Sequence, residues 1–332
     1  AVFSGTGNDM LLGTAVGNVM RGNAGADTIR GEAGADTLSG EADADTLDGG
    51  TEDDRLVGAG GLDRLFGGDG ADTLDGGDDG DTLEGGAGAD TLLGGGGSDR
   101  MLGGADGDWL RGDAGNDSLF GEDGADTLEG LDGNDYLNPG ITGGADTLHG
   151  GAGNDGFDLN AITDLSGMTI DGGADFDNID FLDGQVQLGT TLPFVNVETL
   201  DTFLTTFLGT AGNDSYDFTG LTFFLPGFAS PGFLSLAAGG GNDTVTVSSV
   251  TIGSNANIVD GEAGDDALIG GAQRDQLAGG AGNDSLSGGG GADLLRGGGD
   301  GDALDGAEGG DTLEGDDGAD SLGGGSGSDS LS

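Results

Sequence analysis

The residues able to do chemistry in this chain are aspartates placed at a fixed interval. Asp9, Asp27, Asp45, Asp63, Asp81, Asp99, Asp117 and Asp135 stand 18 residues apart. Nine residues out of phase run Asp36, Asp54, Asp72, Asp90, Asp108 and Asp126, with Asn18 at their head. Asp146 and Asp155 follow a short insertion, and Asp266, Asp275, Asp284, Asp293, Asp302, Asp311, Asp320 and Asp329 resume the interval later. If folding brings residues 18 apart into register on neighbouring strands, their carboxylates lie about 5 Å apart. Such a row repels itself unless cations sit between its members. Glycines flank each Asp, which leaves backbone carbonyls free to point at the same place. A cage of carboxylate and carbonyl oxygens with flexible geometry suits Ca²⁺ better than Mg²⁺ or a transition metal.

The element that must position these carboxylates is a nonapeptide. From Ser4 the chain divides into units of nine without a slip to Asn138, fifteen in all. Two more occupy 141–158 after the Pro139-Gly140 insertion, eight fill 261–332, and single units lie at 172–180, 209–217 and 238–246. The sixth position is Asp in 27 of these 28 units and the eighth is apolar in all of them. Composition alone, with 62 acidic residues against 8 basic ones and a formal charge of −54, would describe a disordered chain. Disorder has no reason to keep two columns, so the chain is folded. Positions one to six read as a Gly- and Asp-rich turn, and positions seven to nine as a short strand whose eighth side chain points inward. Arg21, Arg30, Arg111 and Arg296 at position nine, and Arg55, Arg64 and Arg100 at position seven, mark the outward slots. Two nonapeptides then make one 18-residue coil, with two strands facing each other across a thin core of Leu. One or two buried Leu per coil cannot offset the entropy of ordering it. Stacking and a bound cation have to supply the rest.

The unit Gly85-Gly86-Ala87-Gly88-Ala89-Asp90-Thr91-Leu92-Leu93 resembles the RTX (haemolysin-type) calcium-binding repeat, whose pattern is that of a parallel β-helix. The resemblance covers about three-quarters of the chain and recurs in register. It implies an all-β parallel β-roll, or β-solenoid, that folds when calcium binds and belongs to bacterial proteins exported by type I secretion. It also implies that the position-six Asp carboxylates are the metal ligands, with carbonyls from the Gly-rich turns. Asp43, Glu52, Asp79 and Asp106 replace Gly at position four, and Glu52 is the side chain least suited to a positive φ there. With one ion between each turn and the turn two units on, about 20 Ca²⁺ ions are expected.

Three segments follow: an RTX β-roll at 1–158, an irregular aromatic-rich solenoid segment at 159–260, and a second β-roll at 261–332. Eleven of the 14 Phe residues lie between Phe157 and Phe233, among them Phe203, Phe207, Phe223, Phe224 and Phe228. They fit a wider core under longer coils, or, for Phe223 to Phe233 with Pro226 and Pro231, an exposed assembly or adhesion surface. Catalysis has little to use, so a non-enzyme is expected: the only His, His149, occupies an outward ninth position with no HExxH motif or nucleophile elbow around it. Cys is absent, and no stretch of about 20 apolar residues is present to span a membrane. The acidic charge argues against nucleic acid.

The expected partner is calcium, with self-association into a filament or sheet and a cell-surface glycan as further partners. The expected place is the bacterial cell surface or the extracellular space. A structural component of a surface layer, filament or matrix is the first reading, favoured by the absence of an evident polar cap at Ser4 or Ser332. The calcium-folding portion of a larger secreted enzyme, toxin or adhesin is the second, since the chain closes on the last residue of a unit. An ice-binding solenoid would carry Thr and Asn ladders on its turns, a form only Gly5-Thr6-Gly7-Asn8-Asp9 has.

Overall fold

Period-two side-chain alternation in the strand half of each nonapeptide dictates a sheet with one apolar face. The computed structural model describes residues 1–160, 162–181, 184–197, 199–202, 205–218, 222–224, 234–247 and 256–332. Among these residues the chain is all β, with no helix. It is a parallel β-solenoid in which each strand pairs with the strand one coil away. In one sheet Leu38, Leu56, Leu74, Leu92, Leu110 and Leu128 are successive cross-strand partners. In the sheet opposite, Leu47, Leu65, Leu83, Met101 and Leu119 are stacked in the same way. All are fully buried, which makes the eighth position the core of these coils; in the last coil Leu322 is partly and Leu331 largely exposed.

Contacts divide the chain into two compact units, residues 1–159 with 168–178, and residues 160–167 with 179–332. In the first unit the strands are longer than the sequence pattern suggests. Thr28–Ala33, Thr46–Thr51 and Thr91–Gly96 run from position seven through position three of the next nonapeptide. The true turn is therefore only positions four to six. Position one is buried beside position eight, as in the burial of Gly31, Gly49 and Gly94. Glycine-glycine pairs looked like turn because composition cannot distinguish a bend from a close approach of two backbones.

Left-handed backbone recurs at two places in the unit, positions two and four. At position four Glu52 accepts it (φ 72°), as do Asp43, Asp79 and Asp106. The Glu52 carboxylate accepts hydrogen bonds from Gly34 N–H at 2.6 Å and the Thr51 hydroxyl at 2.8 Å, which holds the turn in place. At position two the same demand falls on Glu32, Glu41, Ala59 and Leu131. Leu131, at φ 80°, is the least suited of these, because left-handed backbone in a non-glycine residue costs about 1–2 kcal/mol. Replacing Leu131 by Gly is expected to raise the calcium-saturated stability by about 1 kcal/mol, read as a higher melting temperature; no change or a decrease would contradict this assignment.

In the second unit the coils lengthen and then return to 18 residues. The register step is 29 residues from Asp214 to Asp243 and 23 from Asp243 to Asp266, before regular steps of 18 from Asp266 to Asp284. Phe207 packs edge-on to Phe181 with ring centroids 5.4 Å apart, and lies 6.5 Å from Phe218. These three rings and Tyr216 are buried and widen the core, whereas Phe176 in the first unit is exposed. Phe223 and Phe224 fall in the strand Thr222–Phe224, which pairs with Thr199–Thr202. Phe203 and residues 225–233, which include Pro226, Phe228, Pro231 and Phe233, lie outside the described residues.

Candidate calcium sites

Each position-six Asp is set by the end of one turn and the start of the next strand. Its carbonyl enters the sheet ladder, as when Thr91 N–H donates to Asp72 O at 2.9 Å. Its N–H turns instead to the carboxylate one coil on: Asp81 N–H to Asp99 Oδ1 at 2.7 Å, and Asp99 N–H to Asp117 Oδ1 at 2.8 Å. This link runs without a gap from Asp9 to Asp155 along one edge of the first unit and from Asn18 to Asp146 along the other. In the second unit it joins Asp266, Asp284, Asp302 and Asp320 on one edge and Asp275, Asp293, Asp311 and Asp329 on the other. Every aspartate that the spacing singled out thus stands in a column. Asp9, Asp320 and Asp329, in the first and last coils, are partly exposed.

The second carboxylate oxygen carries the argument for a metal. Oδ2 of Asp27, Asp36, Asp45 and each successive column member to Asp135 is buried without a hydrogen-bond donor, as is Oδ2 of Asp155, Asp266, Asp284, Asp293, Asp302 and Asp311. These oxygens lie over the position-one glycines. A Cβ added to Gly94 would be 2.5 Å from Asp99 Oδ2 and 2.8 Å from Gly112 O, the carbonyl of the equivalent glycine one coil on. At Gly306 the corresponding distances are 2.6 Å to Asp311 Oδ2 and 2.8 Å to Gly324 O. A carboxylate oxygen and a carbonyl oxygen therefore converge over glycine with no proton between them. A hard divalent cation is the partner such oxygens accept, and the donor set fits Ca²⁺. Among the described residues no three carboxylate or imidazole side chains cluster, so backbone oxygens have to supply much of any coordination sphere.

Electrostatics agrees with the geometry. Burial pushes the acid dissociation of Asp45, Asp90, Asp99, Asp126, Asp155 and Asp266 up to about 6. For Asp54, Asp81, Asp108, Asp135 and Asp293 it reaches about 7. The hydrogen bond from the preceding Asp N–H opposes the shift, and neighbouring column carboxylates add to it. A cation beside these oxygens would favour their charged form and oppose the shift.

Three column members went unnamed in the sequence-level ligand set, although their nonapeptides were recognised: Asp177, Asp214 and Asp243. Asp155 N–H donates to Asp177 Oδ1 at 2.8 Å and Asp214 N–H to Asp243 Oδ1 at 2.7 Å. The signal was the isolated units themselves. Asp275 differs from its neighbours in having a donor on each oxygen, Gly271 N–H on Oδ2 and Asn257 Nδ2 on Oδ1, both at 2.7 Å.

A second ladder, at position five, was not anticipated. Asn134 N–H donates to Asn116 Oδ1 at 2.8 Å and Asn154 N–H to Asn134 Oδ1 at 2.7 Å. Asn213, Asn242, Asp265 and Asn283 repeat the arrangement in the second unit. Its oxygens accept from the following coil, whereas the Asp column accepts from the preceding one.

The glycine at position one can be tested directly. Gly94→Ala is expected to lower calcium-saturated stability by about 2–3 kcal/mol, since its Cβ would meet a backbone carbonyl that cannot move aside. Gly96→Ala, where a Cβ meets nothing within 4 Å, is the matched control and is expected to be near neutral. Equal effects in calorimetry would contradict the close approach.

A parallel stack of nonapeptide pairs with two columns of buried carboxylates and convergent glycine carbonyls defines a calcium-binding β-roll. The family model of the RTX calcium-binding nonapeptide repeat (4 copies) matches overlapping or adjoining stretches from residue 3 to 137, then 142–161, and then 253–331. The chain belongs to this family, and its repeats are calcium-binding structural repeats. No curated protein matches the chain. Among the described residues no helix is long and apolar enough to cross a membrane.

Proposed function

We propose that the chain is a non-catalytic, calcium-assembled structural protein of the bacterial exterior, a surface-layer, filament or matrix component. The observation that carries this reading is the extent of the array: the Asp columns occupy both compact units. The column Asp Oδ2 atoms, with position-one glycine carbonyls beside them, would hold the ions. Calcium would supply positive charge between coils, cancelling carboxylate repulsion and tying one coil to the next. The protein's own part is to bury those oxygens, fix Oδ1 through the N–H of the neighbouring Asp, and keep Cβ atoms out of the site. About 20 ions are expected. Titration calorimetry finding fewer than about ten would overturn the stoichiometry. Electron microscopy with calcium, and again after chelation, tests the assembly: ordered filaments or sheets that need calcium support it, and dispersed particles at saturating calcium count against it.

A second reading has its own support. RTX repeats match most of the chain and no feature of them is peculiar to surface layers. The chain would then be the calcium-folding portion of a larger secreted enzyme, toxin or adhesin. The length of the natural polypeptide, measured by mass spectrometry on the secreted protein, separates the two.

A further inference from the structure

Besides Asp275, a second column member has a protein donor on each carboxylate oxygen, and here both come from its own turn. The unit at 209–217 reads Gly-Thr-Ala-Gly-Asn-Asp-Ser-Tyr-Asp, with Thr210 at position two and Tyr216 in the apolar eighth column. Tyr216 is the only Tyr in that column. Asp214 is buried like the other column members. Its Oδ2 accepts Thr210 N–H at 2.6 Å, as Asp275 Oδ2 accepts Gly271 N–H, and lies 3.0 Å from the Tyr216 hydroxyl. Its Oδ1 accepts the Thr210 hydroxyl at 2.7 Å.

The carbonyl side of the same turn is also occupied. Gln187 Nε2 lies 2.6 Å from Gly209 O, the position-one carbonyl, and 2.9 Å from Leu208 O. The Tyr216 hydroxyl, besides facing Asp214, lies 2.6 Å from Gly189 O. Tyr216 itself is wedged in the core that also buries Phe207 and Phe218, so its hydroxyl position is set by packing. The column is not broken here, because Asp214 N–H still donates to Asp243 Oδ1 at 2.7 Å.

We propose that the turn at 209–217 is a calcium-independent tie: protein donors fill both its Asp214 carboxylate, which faces the following coil, and its Gly209 carbonyl, the two kinds of oxygen that the other turns offer to the ion sites on either side of them. Thr210 stands in for the cation at Asp214 through its N–H and its hydroxyl, the Gln187 amide stands in for it at Gly209, and the Tyr216 hydroxyl, whose single proton the shorter contact directs to Gly189 O, ties the strand to the preceding coil. The turn therefore takes up no calcium, and it holds its coil together when calcium leaves the rest of the array. Its position in the aromatic core gives it the burial that an ordinary coil of the first unit lacks.

Hydrogen exchange on the full chain in excess chelator tests this. Peptides covering 205–218 are expected to remain about 100-fold more protected than peptides covering 85–120. Tyr216→Phe keeps the ring and removes one donor; it is expected to cut that residual protection about tenfold and leave the calcium-saturated melting temperature nearly unchanged. A crystal structure at saturating calcium is expected to show ions against Asp99 and Asp284 and none against Asp214. Equal exchange of both segments in chelator, unchanged protection in Tyr216→Phe, or an ion bound to Asp214 Oδ2 would each overturn the proposal.

Discussion

Chelating calcium from the purified protein is expected to abolish most of its β-sheet signal in one cooperative transition, and restoring calcium to recover it. The physical reason is the thinness of each coil. A regular coil buries two eighth-position side chains and two glycines, and places two carboxylates in a row of like charge. The formal charge of −54 makes the metal-free array strongly self-repelling. Because a coil contacts only its neighbours, losing the ions on either side removes the interface that stabilises it, and the loss propagates. Binding and folding then form one equilibrium. Circular dichroism during a calcium titration is the measurement. The expected curve is steep and shared by far-ultraviolet signal and melting temperature, and Mg²⁺, which demands stricter octahedral geometry, is expected to substitute poorly. A chain that keeps its β-sheet signal in excess chelator would refute the dependence.

Acid is expected to replace calcium in part. In the metal-free fold burial raises column aspartates from the ordinary 3.8 to about 6 or 7, as for Asp90 and Asp108. A group whose folded value lies above its unfolded value favours the fold while protonated. Its contribution is full below about 4 and is lost as pH rises through 6 to 7. Chelated protein should therefore regain β-structure as pH is lowered from 8 towards 4, the reverse of ordinary acid denaturation. With calcium present the sign of the competition changes. Protons and Ca²⁺ contend for the same oxygens, so calcium affinity should fall as pH drops through 7 to 6, with protons released on binding. Chelated protein whose β-signal falls on acidification would show that column carboxylates are not held in the buried state described above.

The period, the apolar column and the Asp column were all legible in the sequence, and with them the coil of 18 residues. They are legible because each is a one-residue rule repeated many times: Leu56, Leu74 and Leu92 are stacked partners simply because they are 18 apart. What was hidden depends on backbone direction. Nothing in Gly49-Gly50 says that the first glycine clears space for Asp54 Oδ2 while the second supplies a left-handed φ of 109°. The strand extension through positions one to three was hidden for the same reason. The donors on Asp214 were hidden because Thr210 looks like ordinary variation at a tolerant position until the turn brings its N–H and its hydroxyl onto one carboxylate.

The two ladders differ in what they can distinguish. The Asp column repeats from one regular coil to the next, so a regular coil that skipped its neighbour and docked on the next one along would find an equivalent partner waiting. Such a stack has a translational degeneracy that its strongest links cannot resolve. The position-five series is aperiodic: Asn116, Asn134 and Asn154 occur in succession, while Ala44, Ala71 and Ala89 offer no side-chain acceptor at that position. A misplaced coil would leave those amide oxygens facing the wrong neighbours. The asparagines thus act as page numbers in a book whose pages are otherwise alike, and they fix which coil follows which.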